Sequence, residues 1–175
     1  MSHPVLNVLF LCTHNSARSV LAESILRQEG AGRFRAFSAG SSPKSAVNPM
    51  AVQVLEELGY PTAELTSKSW DVFDAEGAPV MDIVITVCDN AAGEMCPIWP
   101  GQPVTAHWGI EDPSAVEGSE LERKRAFMTA FRYLKNRITA LTALPADRLD
   151  ALTMREELKK IGRGEGASSL ASQAE

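Results

Sequence analysis

Cysteine is scarce in this chain: three residues, Cys12, Cys88 and Cys96, in 175. An odd number in a chain of this length does not read as a disulfide framework. With no CxxC pair and no two histidines close together, the sequence also lacks a set of four zinc ligands. It has no excess of positive charge. Seventeen Lys and Arg face 22 Asp and Glu, for a net charge of −5, so a nucleic-acid partner is not expected. No apolar run approaches the length of a membrane span, so no membrane partner is expected either. The opening MSHPVLNVLFLC is apolar but carries neither a basic leader nor a small-residue cleavage site. It is read as a buried strand rather than a signal peptide, and the protein as cytoplasmic.

What remains is an ordinary globular composition, 45% hydrophobic and 22% charged, enough for one domain with a substantial core. Val5–Leu11 is almost continuously apolar, as a central parallel strand covered on both faces would be. Ser19–Glu29 follows with helical spacing of Leu21, Ile25, Ala22 and Leu26, and Gly30 and Gly32 end it. Arg33–Ser38 reads as a second strand. Asn48 and Pro49 open a helix with Ala51, Val54, Leu55 and Leu58 on its buried side and Gly59 as its stop. Val80–Val87 and Val104–Trp108 are the remaining strands. Ser119 with Glu122 has the form of a capping box before a long helix ended by Pro145, and Ala151, Met154, Leu158 and Ile161 mark one more. Strands alternating with helices predict an α/β fold with a mainly parallel sheet. Ligands of such sheets sit beyond the carboxyl ends of the strands. Cys12, Cys88 and the segment Trp108–Pro113 all fall there.

The strongest chemical signal is Cys12-Thr13-His14-Asn15-Ser16-Ala17-Arg18-Ser19, a CX5R-S pattern between a buried strand and a helix. A loop that wraps from strand to helix turns successive N–H groups toward one centre, and the helix adds the positive end of its dipole. Arg18 can grip two oxygens of a tetrahedral oxyanion. The same field is expected to lower the pKa of Cys12, making it a nucleophilic thiolate, with Ser19 donating to the sulfur. Asp112, stiffened by Pro113, stands on the same rim as a proton donor for a leaving oxygen, with Glu111 as its rival. Cys88 and Cys96 form a second unit, able to supply two electrons if the loop between them, with Ala91, Ala92 and Gly93, lets the sulfurs meet. The ring of His14 is not expected to act, and Trp99 and Trp108 read as packing or rim residues.

The segments VLFLCTHNSARS (Val8–Ser19), FSAG (Phe37–Gly40), DIVITVCDNAAGEMCP (Asp82–Pro97) and HWGIEDP (His107–Pro113), in that order, resemble the low-molecular-weight protein tyrosine phosphatase superfamily. Within it they resemble its three-cysteine arsenate reductases. The resemblance implies a three-layer fold with a four-stranded parallel sheet, order 2-1-3-4, helices on both faces and an extra C-terminal helix. It implies a phosphatase-like catalytic domain over residues 1–145; the helix after Pro145 is extra to that core as an extension over 146–161, and the Gly-, Ser- and Ala-rich residues 162–175 read from composition as a disordered tail. The implied activity is reduction of arsenate to arsenite through a thio-arsenate on Cys12 and a disulfide relay via Cys88 and Cys96. A phosphatase, or a non-catalytic oxyanion or redox sensor, is the alternative. The implied partners are an arsenate- or phosphate-type oxyanion and an external thiol reductant, thioredoxin or the glutaredoxin and glutathione system. No tightly bound cofactor is implied beyond a monovalent cation, potassium, near Asn15, Glu23 and Ser38.

Overall fold

A computed structural model describes residues 4–89, 91 and 99–168. Four strands, β1 (Leu6–Leu11), β2 (Phe34–Ala39), β3 (Ile83–Thr86) and β4 (Val104–His107), form one parallel sheet in the order β2-β1-β3-β4. This is the expected order. The register aligns the strand ends. Leu11 pairs with Ala39 on one side and Thr86 on the other, and Thr86 pairs with His107. The residues that follow, Cys12, Gly40, Val87 and Trp108, therefore leave the sheet at one level.

Side chains alternate across the sheet. Val8 and Phe10 enter one core with Leu21, Ile25, Leu55, Leu134 and Leu158, while Leu9 and Leu11 enter a second with Phe73, Met81, Val84 and Trp99. The first core is covered by α1 (Arg18–Glu29), α2 (Pro49–Glu57), α4 (Glu120–Thr142) and α5 (Ala151–Gly162), and the second by the short α3 (Asp71–Asp74). By this alternation Cys12 belongs to the face of Val8 and Phe10.

The predicted caps form. Asn48 accepts from the Met50 N–H at 2.8 Å, and Ser119 from the Glu122 N–H at 3.1 Å. Gly59 has the positive φ, 85°, that turns the chain out of α2. Two expectations shift. Leu58 is not in the buried stripe but 38% exposed, because it caps α2 past its last helical turn. The third strand is shorter than Val80–Val87: before Ile83 the Asn7 side chain donates to the Val80 carbonyl and the Asn7 N–H to the Asp82 carboxylate, and only Asp82 keeps main-chain bonds, to the Asn7 carbonyl at 2.9 Å and from the Val104 N–H at 3.0 Å. The helix α3 was not anticipated.

At the other end, α5 packs on β4. Trp108, fully buried, donates its indole N–H to the Leu158 carbonyl at 2.9 Å. Gly162 lies so close to His107 that a Cβ there would meet its carbonyl oxygen at 2.6 Å. Residues 162–168, expected to begin a disordered tail, instead turn back over the rim. Ala167 bridges Ile110, and the Ser168 N–H donates to the Gly109 carbonyl at 2.9 Å. Main-chain bonds hold a segment that composition alone reads as unstructured. The rest of the expected tail, 169–175, lies outside the described residues, as does Cys96.

Candidate active site

The loop 12–17 curls between β1 and α1, and its carbonyls reveal its orientation. Those of Thr13, His14 and Ser16 accept N–H groups from Ser42, Lys44 and Asn48 in the outer loop. In a trans peptide the next residue's N–H points the opposite way. The N–H groups of His14, Asn15 and Ala17 are thus turned inward, together with the uncapped start of α1. Asn15, at φ 45° and fully buried, makes the bend. Its amide pins the loop, with Nδ2 donating to Ser19 Oγ at 2.8 Å and Oδ1 accepting the Lys68 N–H at 2.8 Å. The Ser19 hydroxyl, expected at the nucleophilic sulfur, thus braces Asn15. The His14 ring faces outward to the Ser42 carbonyl, 3.0 Å from Nδ1.

Two sulfurs meet inside this curl. Both Cys12 and Cys88 are reduced and buried, 5% and 1% exposed. Cys12 and Cys88 share a side-chain hydrogen bond, and Cys88 Sγ also accepts the N–H groups of Thr13 and Ala91, each at 3.3 Å. Shared hydrogen bonding to Cys12 and these two backbone donors bring the Cys88 pKa down to about 5, against its burial. The same bond, with burial, drives the Cys12 pKa well up, and the opposing field of Arg18 does not offset it. The expected lowering of the Cys12 pKa is not met in this arrangement: the shared bond and burial push it up, and the N–H donors sit at Cys88.

Arg18 spans the mouth. Its NH1 donates to the Ile110 carbonyl at 2.9 Å, its NH2 is 3.6 Å from Asp112 Oδ2, and its buried Nε has no partner among the described residues. Asp112 is held by the turn that Pro113 begins, accepting the Ser114 N–H at 2.9 Å and its hydroxyl at 2.6 Å through Oδ1. This leaves Oδ2 toward Arg18, at the edge of solvent. Glu111 is exposed on the same rim. Arg18, Cys88, Asp112, Ala167 and Ser168 line one cavity of about 380 Å³. The unspent Arg18 Nε and the inward N–H groups are the donors a tetrahedral oxyanion would use.

The expected cation residues come together, but their oxygens are spent. The Glu23 carboxylate, buried, accepts Ser38 Oγ on one oxygen and Arg27 on the other. Lys68 lies in the field of Glu23, with burial lowering its ammonium pKa. Protein cations already supply the charge, so this donor set does not fit an added monovalent ion. Among the described residues no group of three His, Cys, Asp or Glu side chains could hold a metal.

One cluster was missed. His107 Nε2 is 2.7 Å from Asp89 Oδ1, Thr86 Oγ1 is 2.7 Å from His107 Nδ1, and Ser168 Oγ donates to Asp89 Oδ1 at 2.5 Å. Asp89 follows Cys88 directly, and that adjacency was the available signal.

The family model described as low molecular weight phosphotyrosine protein phosphatase matches residues 7–157. An arsenate reductase of Bacillus subtilis is 34% identical over 131 residues, covering 75% of this chain and 91% of that one. A solved arsenate reductase in the phosphate binding state superposes with a TM-score of 0.66 at 29% identity, over 79% of this chain and 98% of that one. A thioredoxin-dependent arsenate reductase of Corynebacterium glutamicum superposes at 0.53 and 26% identity, over 79% and 64%. No described helix is long and apolar enough to cross a membrane.

Proposed function

Since the chain belongs to the low molecular weight phosphotyrosine protein phosphatase family, we propose that it is an arsenate reductase whose nucleophile is Cys12 and whose resolving thiol is Cys88. The observation that carries the reading is the hydrogen-bonded seat of Cys88 beside Cys12. Phosphate-ester hydrolysis needs one thiol and a proton donor. A second, ionised thiol against the first serves electron transfer.

Arsenate enters the curl, held by the inward N–H groups and Arg18. Its negative charge takes over the loop donors and draws Arg18 inward, which favours transfer of the Cys12 proton to an arsenate oxygen as its sulfur attacks arsenic and leaves Cys88 as the thiolate. Asp112 protonates the departing oxygen, which leaves as water. Cys88 thiolate then attacks Cys12 Sγ. The S–As bonding pair passes to arsenic, which falls from As(V) to As(III), and arsenite leaves. The two sulfurs, each oxidised by one electron, form the Cys12–Cys88 disulfide. Cys96 next attacks Cys88 and returns Cys12 to its thiol, leaving a Cys88–Cys96 disulfide. An external dithiol reduces that pair. Thioredoxin is the favoured reductant, in keeping with the thioredoxin-dependent neighbour, with glutaredoxin and glutathione as the other candidates. Free thiols at the centre suit the reducing cytoplasm.

The test is NADPH consumption with arsenate, thioredoxin and thioredoxin reductase. Sustained consumption that scales with enzyme supports the reading. Hydrolysis of aryl phosphate with no arsenate-dependent NADPH loss would leave a phosphatase, and one stoichiometric oxidation followed by arrest would leave a sensor.

A further inference from the structure

The chain's last described turn is tied to the redox thiol. Resting on the reductase reading above, we propose that Ser168 is a positioning residue for the relay: through Asp89, residues 164–168 strap the start of the Cys88 loop to the sheet rim and hold Cys88 against Cys12 until the strap releases.

The strap is built at both ends. Near its start, the buried guanidinium of Arg137 donates to the Glu165 carbonyl at 3.2 Å and reaches the Gly164 carbonyl at 3.5 Å. A buried guanidinium is costly without partners, so these main-chain bonds are not incidental. Gly166, at φ 87°, lies on the Tyr133 ring so closely that a Cβ would meet it at 2.3 Å. At its end, Ala167 bridges Ile110, the Ser168 N–H binds the Gly109 carbonyl, and the Ser168 hydroxyl binds Asp89. Gly109 is required for this approach, since a Cβ there would stand 2.3 Å from Ser168 Oγ and 2.5 Å from Asp89 Oδ1. Asp89 Oδ1 is also held by His107, so the residue after Cys88 is fixed from two sides.

In the relay Cys88 must leave Cys12 to meet Cys96, and the chain at Asp89 has to move with it. The clasp opposes that movement. It keeps Cys88 loaded for the first sulfur–sulfur attack and must open for the second. The family match ends at residue 157, so the strap's own residues, 164–168, lie beyond it while their anchors lie within it.

The experiment is pulsed iodoacetamide labelling of the reduced full-length protein at pH 7 without arsenate, with Cys88 and Cys12 peptides resolved by mass. Cys88 is ionised at that pH, so its rate reports access. The Cys88-to-Cys12 labelling ratio should rise about tenfold in Ser168→Ala, as expected for loss of a hydrogen bond to a charged group. The same substitution should add nothing in an Asp89→Ala background, where its partner is gone. General loosening would raise both rates together, and that result, or an unmoved ratio, overturns the strap. Arsenate turnover is measured separately on the wild type. A ratio that moves in a protein that does not reduce arsenate overturns the reductase reading, and the relay role with it.

Discussion

Cys88 Sγ lies 3.3 Å from the Thr13 backbone nitrogen, so the sulfur seated at the loop's first N–H comes from a different strand end than the nucleophile. One proton is shared unequally between the two thiols. Thiolate reactivity rises as pH climbs through the pKa. Peptide-resolved alkylation should therefore show Cys88 half-reactive near pH 5 and Cys12 reactive only well above its ordinary range. Cys88→Ser removes the largest cause of the Cys12 shift, so its midpoint should fall. A Cys12 midpoint unchanged in that variant would show that burial alone sets it.

The same pair separates two activities. Cys88→Ser is expected to keep slow aryl-phosphate hydrolysis and lose arsenate turnover, because Cys12, Arg18 and Asp112 remain while the second electron source is gone. Cys12→Ser should lose both. Arg18→Lys keeps the charge but not the planar fork, and should lower kcat/KM about 100-fold or more. Arsenate turnover by Cys88→Ser in the absence of small thiols would break the relay.

Asp112 is poised by Ser114 and Arg18 at the edge of the cavity. Asp112→Asn keeps the acceptor for the Ser114 N–H but cannot give a proton. It should lower kcat about 100-fold to 10,000-fold for a poor leaving group and much less for a good one such as p-nitrophenolate. Equal losses for both would place the acid elsewhere, with Glu111 the next residue to replace.

The loop and its rim were legible because a CX5R-S run encodes its own geometry: strand before, helix after, Arg18 at the first position of the helix. Cys88 and Asp112 were legible because each follows a recognisable strand. The charge state of Cys12 was not, since it depends on Cys88, which reaches it only through the sheet register. Nor was the clasp. Its anchors are main-chain carbonyls at Gly164 and Glu165 and close approaches at Gly109 and Gly166, which leave no side-chain pattern. A stretch rich in Gly, Ser and Ala looks unstructured until Arg137 and Tyr133 are seen beneath it.

The spent oxygens around Glu23 give a direct test on salts. Exchanging KCl for choline chloride at constant ionic strength should leave kcat/KM and Tm unchanged, because Arg27 and Lys68 already neutralise the carboxylate. Lys68→Met withdraws one of these charges and should cost about 1–2 kcal/mol. If potassium then raises Tm and choline does not, the ammonium was standing where an ion can bind. A potassium requirement in the wild type would mean that Ser38 and Glu23 open to admit it.

Gly40 carries the last prediction. A Cβ at this position would lie 2.5 Å from both the Cys12 and Thr13 carbonyl oxygens and 3.0 Å from the Asn15 nitrogen. Every neighbour is backbone, so none can rotate away. Gly40 is itself fixed, donating to the Lys68 carbonyl at 2.9 Å and accepting from the Trp70 N–H at 2.9 Å. In Gly40→Ala the loop must yield, and a shift of its carbonyls turns its N–H groups off the common centre. Stability should fall by about 1–3 kcal/mol, as for an overpacked core. Catalysis should fall further, about 100-fold, since small misplacements of reacting groups are costly. Phosphate affinity, read by calorimetry on the folded variant, separates the two effects. Wild-type affinity in a protein that has lost turnover would locate the damage at the sulfurs rather than at the anion's donors.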